Sequence, residues 1–137
     1  MISLYRMRQL IRQTVKVQWR IEREEAKATK ITTAITGMPH GSGNRSKIED
    51  GAIKVVELKD AYDEVNAELT AMRQELSPLI DTLDNVNDRA VMRLRYIKGY
   101  SPEDIGEAIY RTDRSIYYYL SRAEEQIAKR YPDKVVK

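Results

Sequence analysis

The 137-residue chain contains no cysteine or phenylalanine, and only one histidine and one tryptophan. Without cysteine it can form neither a disulfide nor a thiol nucleophile, which fits a reducing cytoplasm. The single histidine, His40, has no Cys or His partner in the sequence, so neither a metal site nor a Ser/His/Asp set can be drawn. We therefore expect no enzyme activity, no metal and no cofactor.

Long apolar runs are also missing. No stretch approaches the roughly 18 apolar residues that a membrane span needs, and the N-terminus has no signal-like apolar core. A chain of this length holds one domain plus an extension at most. We expect a cytoplasmic protein without a membrane partner.

Charge is unevenly distributed along the chain. Residues 1–30 carry 8 Lys/Arg and 3 Asp/Glu (+5), residues 31–88 carry 5 and 11 (−6), and residues 89–137 carry 11 and 7 (+4), which sum to the net +3. A basic end joined to an acidic middle is typical of a protein that meets phosphate at one end only.

Residues 2–35 contain neither proline nor glycine and predict one long helix. A weak heptad seam runs along it: Met7, Thr14, Ile21, Ala28 and Ile35, with Leu10, Val17, Glu24 and Ile31 three residues after the first four. Another face carries a basic row: Arg8, Arg12, Lys16 and Arg20. This row could follow a phosphate backbone, but we favour a solvated face that pairs with acids on a neighbouring helix.

Residues 36–46 are rich in turn-forming residues and predict a loop. Its glycines resemble a phosphate cradle only superficially, because the segment follows a helix and lacks the Lys-Ser/Thr ending of a nucleotide loop. We interpret it as a turn. Ser46 and Glu49 then form a capping box that we expect to open the second long helix.

The second long helix has the strongest periodicity in the chain. One heptad position holds Ile48, Val55, Tyr62, Leu69, Leu76 and Leu83, and the matching position holds Gly51, Leu58, Val65, Met72, Leu79 and Val86. Pro78 predicts a kink, or an end and a restart at Ser77. Residues 1–86 therefore predict a long antiparallel, coiled-coil-like helical hairpin, an arm that joins a second copy of the chain or another partner.

Residues 87–131 predict a small helix-turn-helix bundle, which makes the fold class all-α. Gly99 caps the first helix, and Ser101, Pro102 and Asp104 start the second, with Ile105, Ala108 and Ile109 facing inward. The second helix breaks around Tyr110 and a third opens at Thr112 or Asp113. Its inward face carries Ile116, Leu120, Ala123 and Ile127. Pro132 should end this helix and leave residues 132–137 as a frayed tail.

The outward residues of the third helix are the candidate DNA contacts. The base-contacting candidates are Asp113, Arg114, Tyr117, Tyr118 and Ser121, because the N-terminal part of such a helix meets base edges. The phosphate-contacting candidates are Arg111, Thr112 and Arg122. For each one, the alternative is an ordinary solvated charge or a packing tyrosine. On the preceding helix we expect Met92, Leu94, Tyr96 and Ile97 in the bundle and Arg89, Arg93, Arg95 and Lys98 on its rim.

The segment Leu94-Arg-Tyr-Ile-Lys-Gly-Tyr-Ser-Pro-Glu-Asp-Ile-Gly-Glu-Ala-Ile resembles region 4 of bacterial sigma factors, which binds the −35 promoter element. Ser115-Ile-Tyr-Tyr-Tyr-Leu-Ser-Arg-Ala is similar to the recognition helix of that region. Gly106 stands where the family usually has Ala, and Tyr110 where the turn usually has Gly, so a bulky residue must take a conformation that Gly accepts freely. The chain has no counterpart of the sigma domain that melts the −10 element.

The whole layout resembles small phage-encoded transcriptional regulators of the ArpU/RinA kind, including a loop similar to Ser/Thr-Gly-Met-Pro-x-Gly-x-Gly at Thr36 to Gly43. That resemblance implies a DNA-binding activator of late or packaging genes in a bacteriophage or prophage. Two alternatives stay open. One is a DNA-packaging factor such as a small terminase subunit, and the other is a helical protein that docks on host RNA polymerase without touching DNA.

Overall fold

The computed structural model describes the backbone of residues 1–37 and 42–137 and the side chains of residues 1–27 and 50–137. Within these residues the fold is all-α, with one pair of two-residue strands. The helices are α1 (Leu4–Gly37), α2 (Ser42–Ile80), α3 (Val86–Met92), α4 (Pro102–Ile109) and α5 (Asp113–Arg130), and the strands are β1 (Ile2–Ser3) and β2 (Val135–Val136).

The chain forms two compact units. One contains Met1–Ile11 and Glu68–Lys137, and the other contains Arg12–Ala67. The helix-turn-helix segment thus shares its unit with the start of α1 and the end of α2, whereas the sequence analysis assigned both of these to the arm.

The ends of the two long helices differ from the sequence prediction. α1 reaches Gly37 and α2 already begins at Ser42, so Ser46 lies inside the helix and is not its N-cap. No proline lies between Ser42 and Ser46 to prevent helix in this stretch. The middle of the predicted loop, residues 38–41, and the side chain of His40 lie outside the described residues. α2 also runs through Pro78 to Ile80, with no restart at Ser77.

The unit Arg12–Ala67 pairs α1 with α2. The described side chains of the predicted seam are half-buried in both helices: Thr14, Val17, Ile21, Glu24, Val55, Leu58, Tyr62 and Val65. Lys59 forms an ion pair with Glu25, at 3.3 Å, across the two helices. Partial burial is what two helices alone can give, because each covers only one side of the other.

In the other unit, α5 packs on α3 and α4 through the face that its periodicity predicts. Ile116, Leu120, Ala123 and Ile127 are all buried there. On α4, Ile105 is buried as expected, but Ala108 is exposed and Gly106 takes a buried position instead. The start of α1 and the end of α2 contribute further buried side chains: Leu4, Met7, Leu10, Leu69, Leu76 and Ile80.

A π-helical turn, Arg93–Ile97, continues α3. The amide of Lys98 donates to the carbonyl of Arg93, five residues back, at 3.0 Å. Arg95, expected on the rim because it is charged, is nevertheless buried, since it continues the helical spacing of the buried Asp88, Val91 and Met92. Its guanidinium donates to the carbonyl of Tyr100 at 3.0 Å.

The C-terminal residues are ordered by pairing with the N-terminus. α5 ends before Pro132 as expected, but β2 then pairs in parallel with β1, in the register Ile2 to Val135 and Ser3 to Val136. The amide of Ile2 donates to the carbonyl of Lys134 at 2.7 Å. Ile2 and Val135 are buried, so apolar burial holds together two strands too short to persist alone. The prediction of a frayed tail is wrong for this reason.

Two buried polar clusters connect the helices of this unit. Asp88 of α3 is fully buried. Arg122 of α5 donates to its carboxylate, from Nε to Oδ1 at 3.2 Å and to Oδ2 at 3.1 Å, and from Nη2 to Oδ1 at 2.7 Å. The hydrogen bond from Arg122 to Asp88 raises the pKa of the guanidinium. In the second cluster, the buried Tyr96 hydroxyl donates to Glu124 and accepts from Arg8 at 2.9 Å. Burial, and then the charge of Glu124, raise the pKa of the Tyr96 phenol.

In the turn between α4 and α5, a tyrosine occupies the left-handed position that glycine usually takes. Tyr110 has φ 57° and ψ 48°, and 93% of it is exposed. The amide of Arg111 donates to the carbonyl of Gly106 at 2.9 Å. A Cβ on Gly106 would lie 2.8 Å from the carbonyl oxygen of Arg111, closer than packed atoms approach. The turn therefore keeps its geometry with the glycine inside α4 and a strained tyrosine at its corner.

Replacing Tyr110 by glycine should stabilise the protein. The exposed ring makes few contacts to lose, and the left-handed conformation costs a non-glycine residue about 1 kcal/mol. We expect Tyr110→Gly to raise the free energy of unfolding in urea by about 1 kcal/mol. Tyr110→Ala removes the same ring but keeps the strain, so it should leave stability nearly unchanged. Equal stabilities of the two variants would contradict this account of the turn.

Removing the Arg122 side chain should destabilise the unit strongly. Arg122→Ala leaves the fully buried Asp88 carboxylate without its partner, and we expect the free energy of unfolding to fall by about 3 kcal/mol. Arg114→Ala is the matched control, because it removes the same side-chain type from an exposed position on the same helix and should change stability by less than about 0.5 kcal/mol. Similar losses in both variants would show that the ion pair contributes nothing particular.

Candidate nucleic-acid interface

The first turn of α5 is fixed by its own capping residue. Thr112 has extended backbone angles, and its Oγ1 accepts a hydrogen bond from the amide of Ser115 at 3.2 Å. Asp113 follows in the first turn, where a negative charge complements the helix dipole. The sequence prediction of a start at Thr112 or Asp113 is confirmed.

The outward face of α5 follows from its inward face. With its four apolar residues buried, the opposite side exposes Asp113, Arg114, Tyr117, Tyr118 and Ser121. The exposed fractions of Tyr117 and Tyr118 are 53% and 60%, large values for residues with such apolar rings. From Asp113 to Ser121 this face extends for about 12 Å along the helix axis. All five predicted base-contacting residues therefore lie on one exposed surface, which we call the α5 face.

Glu103 of α4 contacts the α5 face and was missed by the sequence analysis. The hydroxyl of Tyr117 donates to its Oε1 at 3.0 Å. A backbone hydrogen bond to the Glu103 carboxylate, and then the bond from Tyr117, lower its pKa, and the same contact raises the pKa of Tyr117. These two residues are 14 positions apart and lie on different helices, so no local pattern could have indicated the pair.

Arg122 has a structural function in addition to its predicted phosphate contact. Besides gripping Asp88, its guanidinium lies 5.1 Å from the ring centre of Tyr118 and 5.5 Å from that of Tyr119. Its side chain is 31% exposed. The ion pair thus holds the two tyrosine rings at the C-terminal side of the α5 face. Phosphate contact by Arg122 stays a prediction, and Asp88 is a second residue that the sequence analysis missed.

The other two predicted phosphate contacts lie at the N-terminal end of α5. Arg111 and Thr112 are both exposed, and Arg111 is the turn residue directly before the cap. Free amides at a helix N-terminus favour an anion, so their position suits a phosphate. The Thr112 hydroxyl already donates to Ser115, so the exposed Arg111 side chain is the more available of the two for a phosphate.

Acidic side chains are also exposed on α4. Asp104 and Glu107, together with Tyr100 and Ala108, line a shallow depression of about 370 Å³. These carboxylates would repel a phosphate backbone. Within α4, α5 and the turn between them, the positive side chains therefore lie on α5 and in the turn.

The predicted basic row of α1 is divided between the two units. Arg8 lies in the unit of the helix-turn-helix, where it bonds to Tyr96 and lies 3.6 Å from Glu124. Arg12, Lys16 and Arg20 lie in the other unit and are exposed. For Arg8 the structure thus supports pairing with an acid over following a phosphate backbone.

The described side chains contain no group of three or more His, Cys, Asp or Glu residues that could hold a metal ion. In the searched part of the chain, 1–37 and 42–137, no helix combines the length and apolar character that a bilayer crossing requires.

Comparison with known families places most of the chain in a described family. The model of a family described as "Protein of unknown function (DUF1492)" matches residues 33–128, from the end of α1 to near the end of α5. No curated protein and no solved structure matches the chain. Because the family model covers well over half of the chain, the protein belongs to the DUF1492 family.

Proposed function

We propose that this protein is a bacteriophage or prophage transcription regulator that binds promoter DNA with α5. The observation that carries the proposal is the α5 face, on which an arginine and two tyrosines stand exposed at the start of the second helix of a helix-turn-helix. That is the part of such a helix which enters the major groove in proteins of this kind.

Each side chain of the face has a distinct chemical use against DNA. Arg114 would donate two hydrogen bonds to guanine O6 and N7. Asp113 would accept from a cytosine amino group, and Ser121 would bond to either base of a pair. Tyr117 and Tyr118 would contact thymine methyl groups or donate to phosphate. Arg111, Thr112 and the amides at the helix start would hold a phosphate and fix the register.

The resemblance to sigma factor region 4 supports the same assignment. The left-handed Gly99 and the N-caps Ser101 and Thr112, which the local sequence predicts, give helix boundaries compatible with a module of that kind. On this proposal the protein would act at a promoter beside host RNA polymerase. The resemblance to ArpU/RinA regulators favours activation of late or packaging genes.

A second candidate function is DNA packaging, as in small terminase subunits, which pair a helix-turn-helix with an oligomerising helical region. The exposed apolar side chains of the Arg12–Ala67 unit favour it, since they indicate contact with other copies. Such subunits form closed rings of many copies that bind DNA without a short sequence motif. A third candidate is docking on RNA polymerase without any DNA contact, which the modest net charge of +3 permits.

Selection from a pool of random and phage-derived DNA fragments at near-physiological salt tests the proposal. We expect the wild-type protein to enrich one short motif, and Arg114→Ala/Tyr117→Ala to lose it, because both side chains leave the α5 face. Lys129→Ala is the control, since it removes one positive charge from the far end of the same helix. The Lys129→Ala variant should enrich the same motif as the wild-type protein and bind it slightly more weakly.

The other outcomes separate the candidates. Binding without a motif that fades as salt rises indicates phosphate contact alone and favours packaging. No retention of any fragment overturns both DNA functions and leaves the polymerase-docking protein. Arg122→Ala is unsuitable for this experiment, because loss of the Asp88 contact would destabilise the helix-turn-helix and could weaken DNA binding indirectly.

Neutralising Glu103 should strengthen DNA binding. Its carboxylate lies at the edge of the α5 face and holds the Tyr117 hydroxyl, so it both repels phosphate and competes for a DNA-contacting group. We expect Glu103→Gln to lower the dissociation constant several-fold in fluorescence anisotropy at low salt. Glu107→Gln, on the same helix but without a contact to Tyr117, controls for net charge. Equal gains in the two variants would show that the Tyr117 contact is irrelevant to binding.

A further inference from the structure

In the unit Arg12–Ala67, α1 exposes a stripe of one charge sign. The residues are Arg12, Val15, Lys16, Trp19 and Arg23, spaced three and four apart so that they share one side of the helix. Val15 and Trp19 are 62% and 58% exposed. The guanidinium of Arg23 lies 4.9 Å from the ring centre of Trp19. We call this surface, which the exposed Glu22 borders, the basic stripe.

α2 exposes a similar stripe with charges of the opposite sign. Ile53, Val56, Glu57, Asp60 and Glu64 share one side of that helix, with Ile53 and Val56 exposed by 56% and 59%. Lys54 and Lys59 project elsewhere, and Lys59 pairs with Glu25. We call this base-free surface the acidic stripe. Each stripe thus combines two large apolar side chains with three charges of a single sign.

The two stripes are free to bind a partner. Among the described residues, the six charged side chains of the stripes form no ion pair within the chain. The charge balance agrees with their signs. Residues 12–27 carry five Lys/Arg and three Asp/Glu (+2), and residues 50–67 carry two and five (−3). Four large apolar side chains exposed on one small unit form more apolar surface than a soluble monomer usually leaves in water, and they indicate contact with protein.

The position of the stripes decides how copies can meet. On each helix the stripe lies on the side opposite the half-buried seam, so the two stripes occupy opposite edges of the helical pair. Two basic stripes repel each other, and so do two acidic ones, which disfavours a symmetric dimer through identical edges. Packing a basic stripe on an acidic stripe pairs opposite charges and also covers the exposed apolar side chains of both stripes.

We propose that copies of this chain assemble head to tail, with the basic stripe of one copy packed on the acidic stripe of the next. Such a contact leaves one stripe free at each end, so assembly continues beyond two copies until a ring closes or the ends remain open. The assembly does not depend on the proposed DNA function. DNA is the other chemistry that a basic stripe attracts, but the sugar-phosphate backbone would leave Val15 and the acidic stripe uncovered.

Charge reversal in the full-length chain tests the proposal. One variant reverses the basic stripe (Arg12→Glu, Lys16→Glu and Arg23→Glu), and a second reverses the acidic stripe (Glu57→Lys, Asp60→Lys and Glu64→Lys). Each variant carries like charges on both edges, so each alone should stay a single copy by light scattering. The wild-type protein should exceed the mass of two copies, and this mass should fall as salt rises.

The mixture of the two variants provides the decisive control. In an equimolar mixture every contact again joins opposite charges, so assemblies of alternating variants should form and the mass should rise above two copies. This recovery also excludes misfolding as the reason that each variant alone stays a single copy, and circular dichroism checks their helix content independently.

Three results would overturn the proposal. The first is a wild-type protein that stays a single copy or stops at two copies at all concentrations. The second is a mixture that remains dissociated although both variants are folded. The third is a basic-stripe variant that keeps the wild-type mass but loses DNA affinity, which would assign the stripe to DNA.

Discussion

The ion pair between Asp88 and Arg122 is the interaction on which the candidate DNA-binding surface depends. Asp88 is fully buried, and a buried carboxylate is tolerable only when a partner compensates the lost hydration. Arg122 does so from the middle of α5 and therefore fixes the rotation of α5 against α3. The same guanidinium contacts the ring of Tyr118. One contact thus locks the orientation that the apolar face of α5 already favours, and it holds one of the exposed rings.

The sequence predicts this fold well wherever the determining interaction is local. Ser101 and Thr112 each accept from an amide three residues on, and Gly99 takes the left-handed conformation that ends its helix, all as expected. The buried face of α5 follows from helical periodicity alone, and so does the α5 face opposite to it. At Tyr110 the surrounding structure overrides the local preference of the residue, since the backbone takes a conformation that tyrosine disfavours.

What the sequence does not predict is the identity of distant partners. Arg122 finds Asp88 across 34 positions, and Tyr117 finds Glu103 across 14, although every one of these residues could equally be a solvated polar group. Pairing of β1 with β2 joins the two ends of the chain through strands too short to have a periodicity. Arg95 shares the buried side of its helix with Asp88, Val91 and Met92, although its charge favours a rim position. Periodicity states which side of a helix is covered, but not which residue covers it.

Weak binding by a single copy connects the two proposals. The α5 face offers few positive charges, and Glu103 of α4 contacts it, so one helix-turn-helix would hold DNA loosely at physiological salt. Several copies joined through their stripes would present several such surfaces at a high effective concentration, which raises the apparent affinity without any new base contact. The stripes and the α5 face lie in different units of the chain, so a substitution in one leaves the contacts of the other intact. A stripe variant that keeps its motif but binds a single site weakly would therefore measure how much of the affinity comes from assembly.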